Sequence, residues 1–187
     1  TAGHALRDAV FQVTSVISTS GFSTTDYNLW PPFAQTILVL LMFVGGCSGS
    51  TAGSIKCGRI LLLLRSSTRS LLRLSHPRAV RVVKLDGKVV DEETLRTVSS
   101  FFLCFFALLG VGCLVVSLDG YSLTTSFTAA LGCLSNVGPG LDLVGPMGNF
   151  GLLSGFNKVF LSLLMLIGRL EIFPILLLFL PSTWRRS

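Results

Sequence analysis

Gly45-Gly46-Cys47-Ser48-Gly49-Ser50-Thr51-Ala52-Gly53-Ser54 interrupts an apolar run that is otherwise suited to lipid. Residues 33–44 before it are almost wholly apolar. As a helix they cover about 18 Å, against a hydrocarbon core of about 30 Å. The apolar character resumes at residues 60–64. One helix broken near the membrane midplane accounts for this pattern better than two separate elements. Non-helical backbone at that depth is tolerated only against protein or a water-filled path.

Composition agrees with a lipid-facing chain. Of the 187 residues, 50% are hydrophobic and 13% charged, and the mean hydropathy is +0.73. Soluble domains carry roughly 25% charged residues. The net charge of +6 is unevenly spread. Lys56, Arg59, Arg65, Arg69, Arg73, Arg78, Arg81, Lys84 and Lys88 fall between two apolar regions, and Arg185 and Arg186 lie at the far end. Residues 21–44 and 97–157 contain no Lys or Arg. That alternation is what the positive-inside rule produces in a polytopic membrane protein. No aromatic or base-reading residues are interleaved with the basic run, which argues against nucleic acid. Cys47, Cys57, Cys104, Cys113 and Cys133 show no C-x-x-C spacing and mostly sit in apolar runs, as small hydrophobes do. His4 and His76 lack acidic or Cys companions at ligand spacing, so no metal site of that kind is expected. The chain starts at Thr1 without a signal segment and reads as a piece of something longer.

Residues 5–18 read as a helix too short to span a bilayer, followed by the polar turn Thr19-Ser20-Gly21-Phe22-Ser23-Thr24-Thr25. Trp30-Pro31-Pro32 combines an interfacial aromatic with a helix start. Arg65, Arg69 and Arg73 extend the broken helix at i, i+4 spacing, as a solvated or headgroup-binding cytoplasmic face. Residues 81–90 suggest a small hairpin around Asp86-Gly87, and Asp91-Glu92-Glu93 an acidic helix start. Residues 98–118 form a full-length span, 121–134 another short helix ending in Ser135-Asn136-Val137-Gly138-Pro139-Gly140, and 156–180 a last span. If the broken helix runs inward, 98–118 returns outward and 156–180 runs inward again. Both short helices then dip in from outside, as re-entrant pore helices do.

An internal repeat underlies this order. Leu40-Leu41-Met42-Phe43-Val44-Gly45-Gly46 matches Leu163-Leu164-Met165-Leu166-Ile167-Gly168-Arg169, and a short helix and a Gly-bearing turn precede each copy. Chance likeness of Leu-rich helices explains the heptapeptide alone, but less readily the shared order. The unit is helix, re-entrant pore loop, helix, with one complete copy and one lacking its first helix. The expected fold is an all-α polytopic membrane protein of helix–re-entrant pore loop–helix repeats, with a broken transmembrane helix.

Turns of this kind can aim backbone carbonyls at an axis, and dehydrated monovalent cations need several such oxygens. Thr19, Ser20, Gly21 and Phe22 are candidates for one wall of a filter, and Ser135, Asn136, Val137 and Gly138 for another. Either turn alone reads equally well as an ordinary outer loop. Two walls cannot surround an ion, so further repeats must come from missing sequence or another chain. The break suits gating, with Gly45, Gly46, Ser48, Gly49, Ser50, Thr51 and Gly53 as candidates. It is not a phosphate-binding loop, because Lys56 does not directly follow Gly53, and it holds no G-x-S-x-G elbow. The aligned heptapeptides set Arg169 opposite Gly46. A membrane-embedded Arg costs at least ~2.5–3.5 kcal/mol on insertion scales and needs interior partners. Arg169 is therefore expected to hydrogen-bond carbonyls of residues 45–54 and hold a closed state, or else to pair with Glu171. Glu171 equally suits Lys56.

Several segments together resemble the TrkH/KtrB superfamily of potassium transporters, TrkH branch. They are Ser18-Thr19-Ser20-Gly21-Phe22-Ser23-Thr24, the run from Gly45 through Ser54-Ile55-Lys56, His76-Pro77-Arg78-Ala79-Val80, Ser135-Asn136-Val137-Gly138-Pro139-Gly140 and Gly168-Arg169-Leu170-Glu171-Ile172-Phe173. The resemblance implies four helix–pore loop–helix repeats in one chain, of which residues 1–75 would end the third and 94–187 form the fourth, with 76–93 a cytoplasmic connector. It implies potassium uptake across the cytoplasmic (inner) membrane through carbonyls of the filter residues, with Gly21 and Gly138 as key glycines. Potassium is then the transported ion and the only metal bound. It also implies an intramembrane gating loop at residues 45–54, an Arg at position 169, a homodimer, and a cytoplasmic ring of TrkA-like nucleotide-binding regulatory subunits. The basic stretch 59–88 is a candidate surface for that ring. Repeats one and two are absent, which leaves potassium against sodium preference open.

Two other readings remain. A secondary carrier would bind an organic or anionic solute at the broken helix, with a charged residue beside the break. A non-transporting membrane module would leave the repeat unexplained. No nucleophile–base pair appears, so an enzyme is the reading least supported.

Overall fold

A computed structural model describes residues 2–47, 49–75, 82–85 and 87–170. Ser48, the segment 76–81, Asp86 and everything from Glu171 onward lie outside the described residues, and with them the end of the expected last span and Arg185 and Arg186.

The elements are α1 (Ala2–Ile17), α2 (Pro32–Phe43), α3 (Cys57–Ser75), β1 (Lys84–Leu85), β2 (Lys88–Val89), α4 (Glu92–Ser117), α5 (Leu123–Leu134) and α6 (Gly155–Arg169). Their order follows the sequence reading closely. The break separates α2 from α3, which starts at Cys57, ahead of the apolar residues 60–64. The hairpin pairs Lys84 with Val89 and Leu85 with Lys88 in antiparallel register. Pro32 opens α2, where a missing N–H costs nothing. Ser122 and Ser154 cap α5 and α6 by accepting from the N–H groups of Thr125 and Asn157.

Among the described residues α4 alone is long and apolar enough to cross a membrane, at 26 residues. Only 28% of its most apolar window is buried, so most of that surface faces outward, as a lipid-facing helix requires. α5 is the opposite case. From Thr125 to Leu134 every residue but Phe127 is buried, with α4, α6 and α2 packed around it. Its small residues Ala129, Ala130, Gly132 and Cys133 allow that close approach. A Cβ on Gly112 of α4 would lie 3.1 Å from the Ala130 Cβ and 3.4 Å from Leu164 of α6.

Phe43, the last residue of α2, anchors the break. Its ring lies 5.8 Å from Phe106, 6.2 Å from Phe105 and 6.5 Å from Phe127. Beyond it the chain leaves helix and returns. Gly45 N–H donates to Ile55 O (2.9 Å), Ile55 N–H to Phe43 O (3.1 Å) and Cys57 N–H to Gly46 O (3.2 Å). The loop is thus pinched at its neck, and α3 continues from where α2 stopped.

On the other side of the molecule, Asp142 accepts from Thr125 Oγ1 (2.6 Å) and Ser122 Oγ (2.7 Å) at the start of α5. These bonds hold its carboxyl below the usual carboxylate range. Near the hairpin, Arg69 pairs with Glu92 at 2.6 Å, tying α3 to the start of α4.

Gly112→Val is expected to wedge α4 off α5 and lower stability by about 1–3 kcal/mol, the usual cost of overpacking. Its detergent melting midpoint should fall below that of Gly112→Ala. Asp142 contributes a second expectation. Because its folded pKa is depressed, its stabilising contribution is present above the unfolded value near ~3.9 and is lost as pH falls through the folded pKa. Unfolding followed from pH 6 downward should show an acid-sensitive step below about pH 4 that Asp142→Asn removes.

Candidate functional site

The two polar turns have the same backbone. α1 ends with Thr19 N–H donating to Val16 O (3.1 Å) and Ser20 N–H to Ser15 O (3.0 Å). α5 ends with Asn136 N–H donating to Cys133 O (3.1 Å) and Val137 N–H to Gly132 O (3.0 Å). Both are Schellman closures, which require a left-handed residue just past the helix. Thr19 (φ 55°) and Asn136 (φ 56°) supply it, and Gly21 (φ 73°) and Gly138 (φ 102°) are left-handed again two residues later. Thr19 is β-branched, so this conformation is costly for it. Its hydroxyl offsets part of that by accepting the Gly53 N–H at 3.1 Å.

The turns also share a pattern of unmet acceptors. Among the described residues, the carbonyls of Thr19, Ser20 and Gly21 accept no hydrogen bond, nor do those of Asn136, Val137 and Gly138. The remaining two filter candidates differ. Phe22 O accepts from Ser15 Oγ (2.6 Å) and Ser135 O from Ser54 Oγ (3.2 Å). The turns touch directly: a Cβ on Gly21 would collide with the Val137 carbonyl oxygen. Nothing lies within 4 Å of a Cβ placed on Gly138.

Gly53 and Ser54, at the end of the loop, lie against both turns. Gly53 bonds Thr19, and a Cβ on it would strike the Ser135 carbonyl. Ser54 Oγ also donates to Met42 O at 2.7 Å. Gly45 and Gly46 belong to the pinched neck, and Ser50 N–H donates to Cys47 O at 3.0 Å. Gly49 (φ 88°) and Thr51 are exposed.

Lys56 is the cation that holds this loop. It is 8% exposed, and its ammonium donates to the carbonyls of Ser50 and Ala52, the latter at 3.1 Å. Arg169 lines the same cavity of about 230 Å³, with Lys56 and Arg59, but among the described residues it makes no hydrogen bond to the loop. The bonds expected of Arg169 are thus made by Lys56. Glu171, the other expected partner of both cations, lies outside the described residues. Arg59 stacks over the Phe101 ring at 4.2 Å.

Sequence reading missed Ser15 and the role of Lys56. A Lys directly beside a glycine-rich break was the available signal for the second. Ser15 had none, because its counterpart in the other turn is Gly132.

Comparison with known proteins gives one consistent answer. The family model described as a cation transport protein, TrkH, matches residues 1–186. The Trk system potassium uptake protein TrkH of Salmonella typhimurium is 39% identical over 180 residues, 96% of this chain and 37% of that protein. TrkI of Halomonas elongata, also a Trk system potassium uptake protein, is 38% identical over 185 residues, 97% of this chain and 37% of its own length. The crystal structure of the potassium transporter TrkH from Vibrio parahaemolyticus superposes with a TM-score of 0.90 at 38% identity, covering 99% of this chain and 39% of that one. The chain therefore spans little more than a third of the length of these relatives. Its helices have the all-α fold of a membrane transporter, and the chain belongs to the TrkH family of cation transport proteins.

Proposed function

We propose that this chain supplies two walls of a potassium-selective filter, and the gate beneath it, in a potassium-uptake protein of the cytoplasmic membrane. The observation that carries this reading is the pair of turns with matching angles and closing bonds, each leaving three consecutive carbonyls without a donor among the described residues. Carbonyls without donors, clustered in two touching turns, are acceptors of the kind that a dehydrated monovalent cation suits. Residues 1–75 and 94–187 are then the third and fourth pore-loop repeats, with 76–93 a cytoplasmic connector, and the remaining walls come from the rest of the protein. Residues 45–54 close the inner side, held by Lys56, with Arg169 at the same cavity. The basic surface of α3 and the hairpin receives the nucleotide-binding regulatory ring, and the whole protein pairs as a homodimer. The relatives' names, all potassium uptake proteins, support the choice of ion. A broken-helix carrier is less favoured, because Lys56, the charge nearest the break in sequence, is engaged with loop carbonyls.

At Gly138 the backbone angle of 102° disfavours any L side chain, while the space around it is open. Gly138→Ser in the full-length protein should therefore turn carbonyls without blocking the path. In potassium-uptake-deficient cells, potassium over sodium preference should drop about tenfold, or ~1.4 kcal/mol, with cation flux retained. Intact preference would favour the carrier. Lys56→Met frees the Ser50 and Ala52 carbonyls and should raise the maximal uptake rate severalfold without changing that preference. Arg169→Ala should do less. An equal or larger effect from Arg169→Ala would return the loop's hold to the arginine.

A further inference from the structure

Asn28 joins the two turn-bearing units on the side away from the loop. Its Oδ1 accepts the Asp142 N–H at 2.9 Å, and its Nδ2 donates to the Asp142 carbonyl at 3.2 Å, across 114 residues of sequence. This pairs one side-chain amide with one backbone unit, using donor and acceptor at once. Asn and Gln alone carry both on a planar amide, and neither Asp nor Ala can reproduce the pair.

Both partners are held in place independently. The Asn28 N–H donates to Asp26 Oδ1 (3.0 Å), and its carbonyl accepts from Gln35 Nε2 of α2 (2.8 Å). The preceding Tyr27 is 1% exposed. Asp142 is fixed to the start of α5 by Ser122 and Thr125, and the Leu141 N–H donates to Thr128 Oγ1 at 2.9 Å. Gly145 makes room for the joint: a Cβ there would overlap the Asn28 amide, 2.9 Å from its Cγ.

The relative position of the two turns is thus fixed at two levels. Ser54 Oγ reaches Ser135 O on the inner side, Asn28 and Asp142 meet on the outer side, and Gly21 touches the Val137 carbonyl between them. We propose that Asn28 is a positioning residue for ion selectivity, setting through Asp142 the spacing between the carbonyls of the two turns. This rests on the filter reading above. An ion is discriminated by how many oxygens meet it and how far they yield. Releasing the outer joint lets the walls spread while leaving the path open.

The test is uptake by the full-length protein in potassium-uptake-deficient cells, with potassium, rubidium and sodium measured side by side. Asn28→Ala should lower the potassium-to-sodium ratio about fivefold or more, the lower end of typical coupling between sites. Gly145→Ala should act in the same direction by displacing the amide. Its backbone (φ −67°, ψ −176°) accepts alanine without strain, so it stays readable if Asn28→Ala fails to accumulate. The double variant should be no worse than the stronger single one, as expected for two lesions of one joint. A purely structural brace predicts fewer active molecules with the wild-type ratio among all three ions. That outcome in either accumulating variant overturns the proposal. Gly138→Ser is the control for the underlying reading. If it loses discrimination while the Asn28 and Gly145 variants keep it, the filter stands and the positioning role fails. If the wild type and Gly138→Ser share the same ratio, the filter reading itself fails.

Discussion

Inside a membrane, each backbone carbonyl needs a donor that water does not supply, and under the proposed function the break and the two turns are organised around that constraint. Helices meet it by themselves. A ten-residue break does not, so its ends are pinched together by Gly45, Ile55, Gly46 and Cys57, and its middle is held by Lys56. A single ammonium satisfies two carbonyls at once, which suits a short, glycine-rich segment with few backbone bonds of its own among the described residues. The turns after α1 and α5 show the other response. There the Schellman bonds use the N–H groups and leave the next three carbonyls without a donor among the described residues. The two responses lie against each other, joined by the Gly53–Thr19 and Ser54–Ser135 bonds.

The two turns share backbone rather than side chains. Thr19 corresponds to Asn136 and Ser20 to Val137, yet the left-handed angles and the closing bonds recur almost unchanged. Divergence falls where one unit needs a contact that the other lacks. Thr19 carries a hydroxyl because Gly53 approaches it, while Asn136 reaches instead to the Met165 carbonyl of α6 at 3.1 Å. Ser15 ties down the Phe22 carbonyl, while Gly132 leaves space that the Gly138 carbonyl fills, 2.8 Å from where a Cβ would stand. Two turns of one backbone form thereby carry different surroundings, and under the proposed function they are two different walls.

The helices were legible in the sequence because each carries a strong local signal. Pro31-Pro32, Asp91-Glu92-Glu93 and Gly45-Gly46 mark boundaries through chemistry that acts within a few residues. The left-handed positions were half legible: Gly21 and Gly138 announce themselves, whereas Thr19 adopts the same region only because α1 must end there. Long-range joints were not legible at all. Nothing near Asn28 in sequence points to Asp142, since their pairing depends on how two units dock. Arg169 shows the opposite error. The heptapeptide alignment set it opposite the break, and it lines the cavity beside residues 50–54, but alignment does not say which hydrogen bonds form. Lys56, on the loop's own strand of chain, reaches the carbonyls first.

The charges beneath the loop bear on what closure requires under the proposed function. Lys56, Arg59 and Arg169 line one cavity on the side where residues 50–54 would have to move. A cation approaching from the turns meets the loop first and this positive wall directly behind it. Lys56 is partly offset by the dipoles of two carbonyls, and Arg59 lies over the negative face of the Phe101 ring. The dipoles of two carbonyls do not cancel the full charge of Lys56, and repulsion is stronger in a water-poor interior than in bulk. Closure on this reading is electrostatic as well as steric. Opening then takes more than displacing the loop: Lys56 travels with the carbonyls it holds, so moving the loop also carries positive charge off the path. One lysine thus couples the loop's position to the field that a passing ion meets.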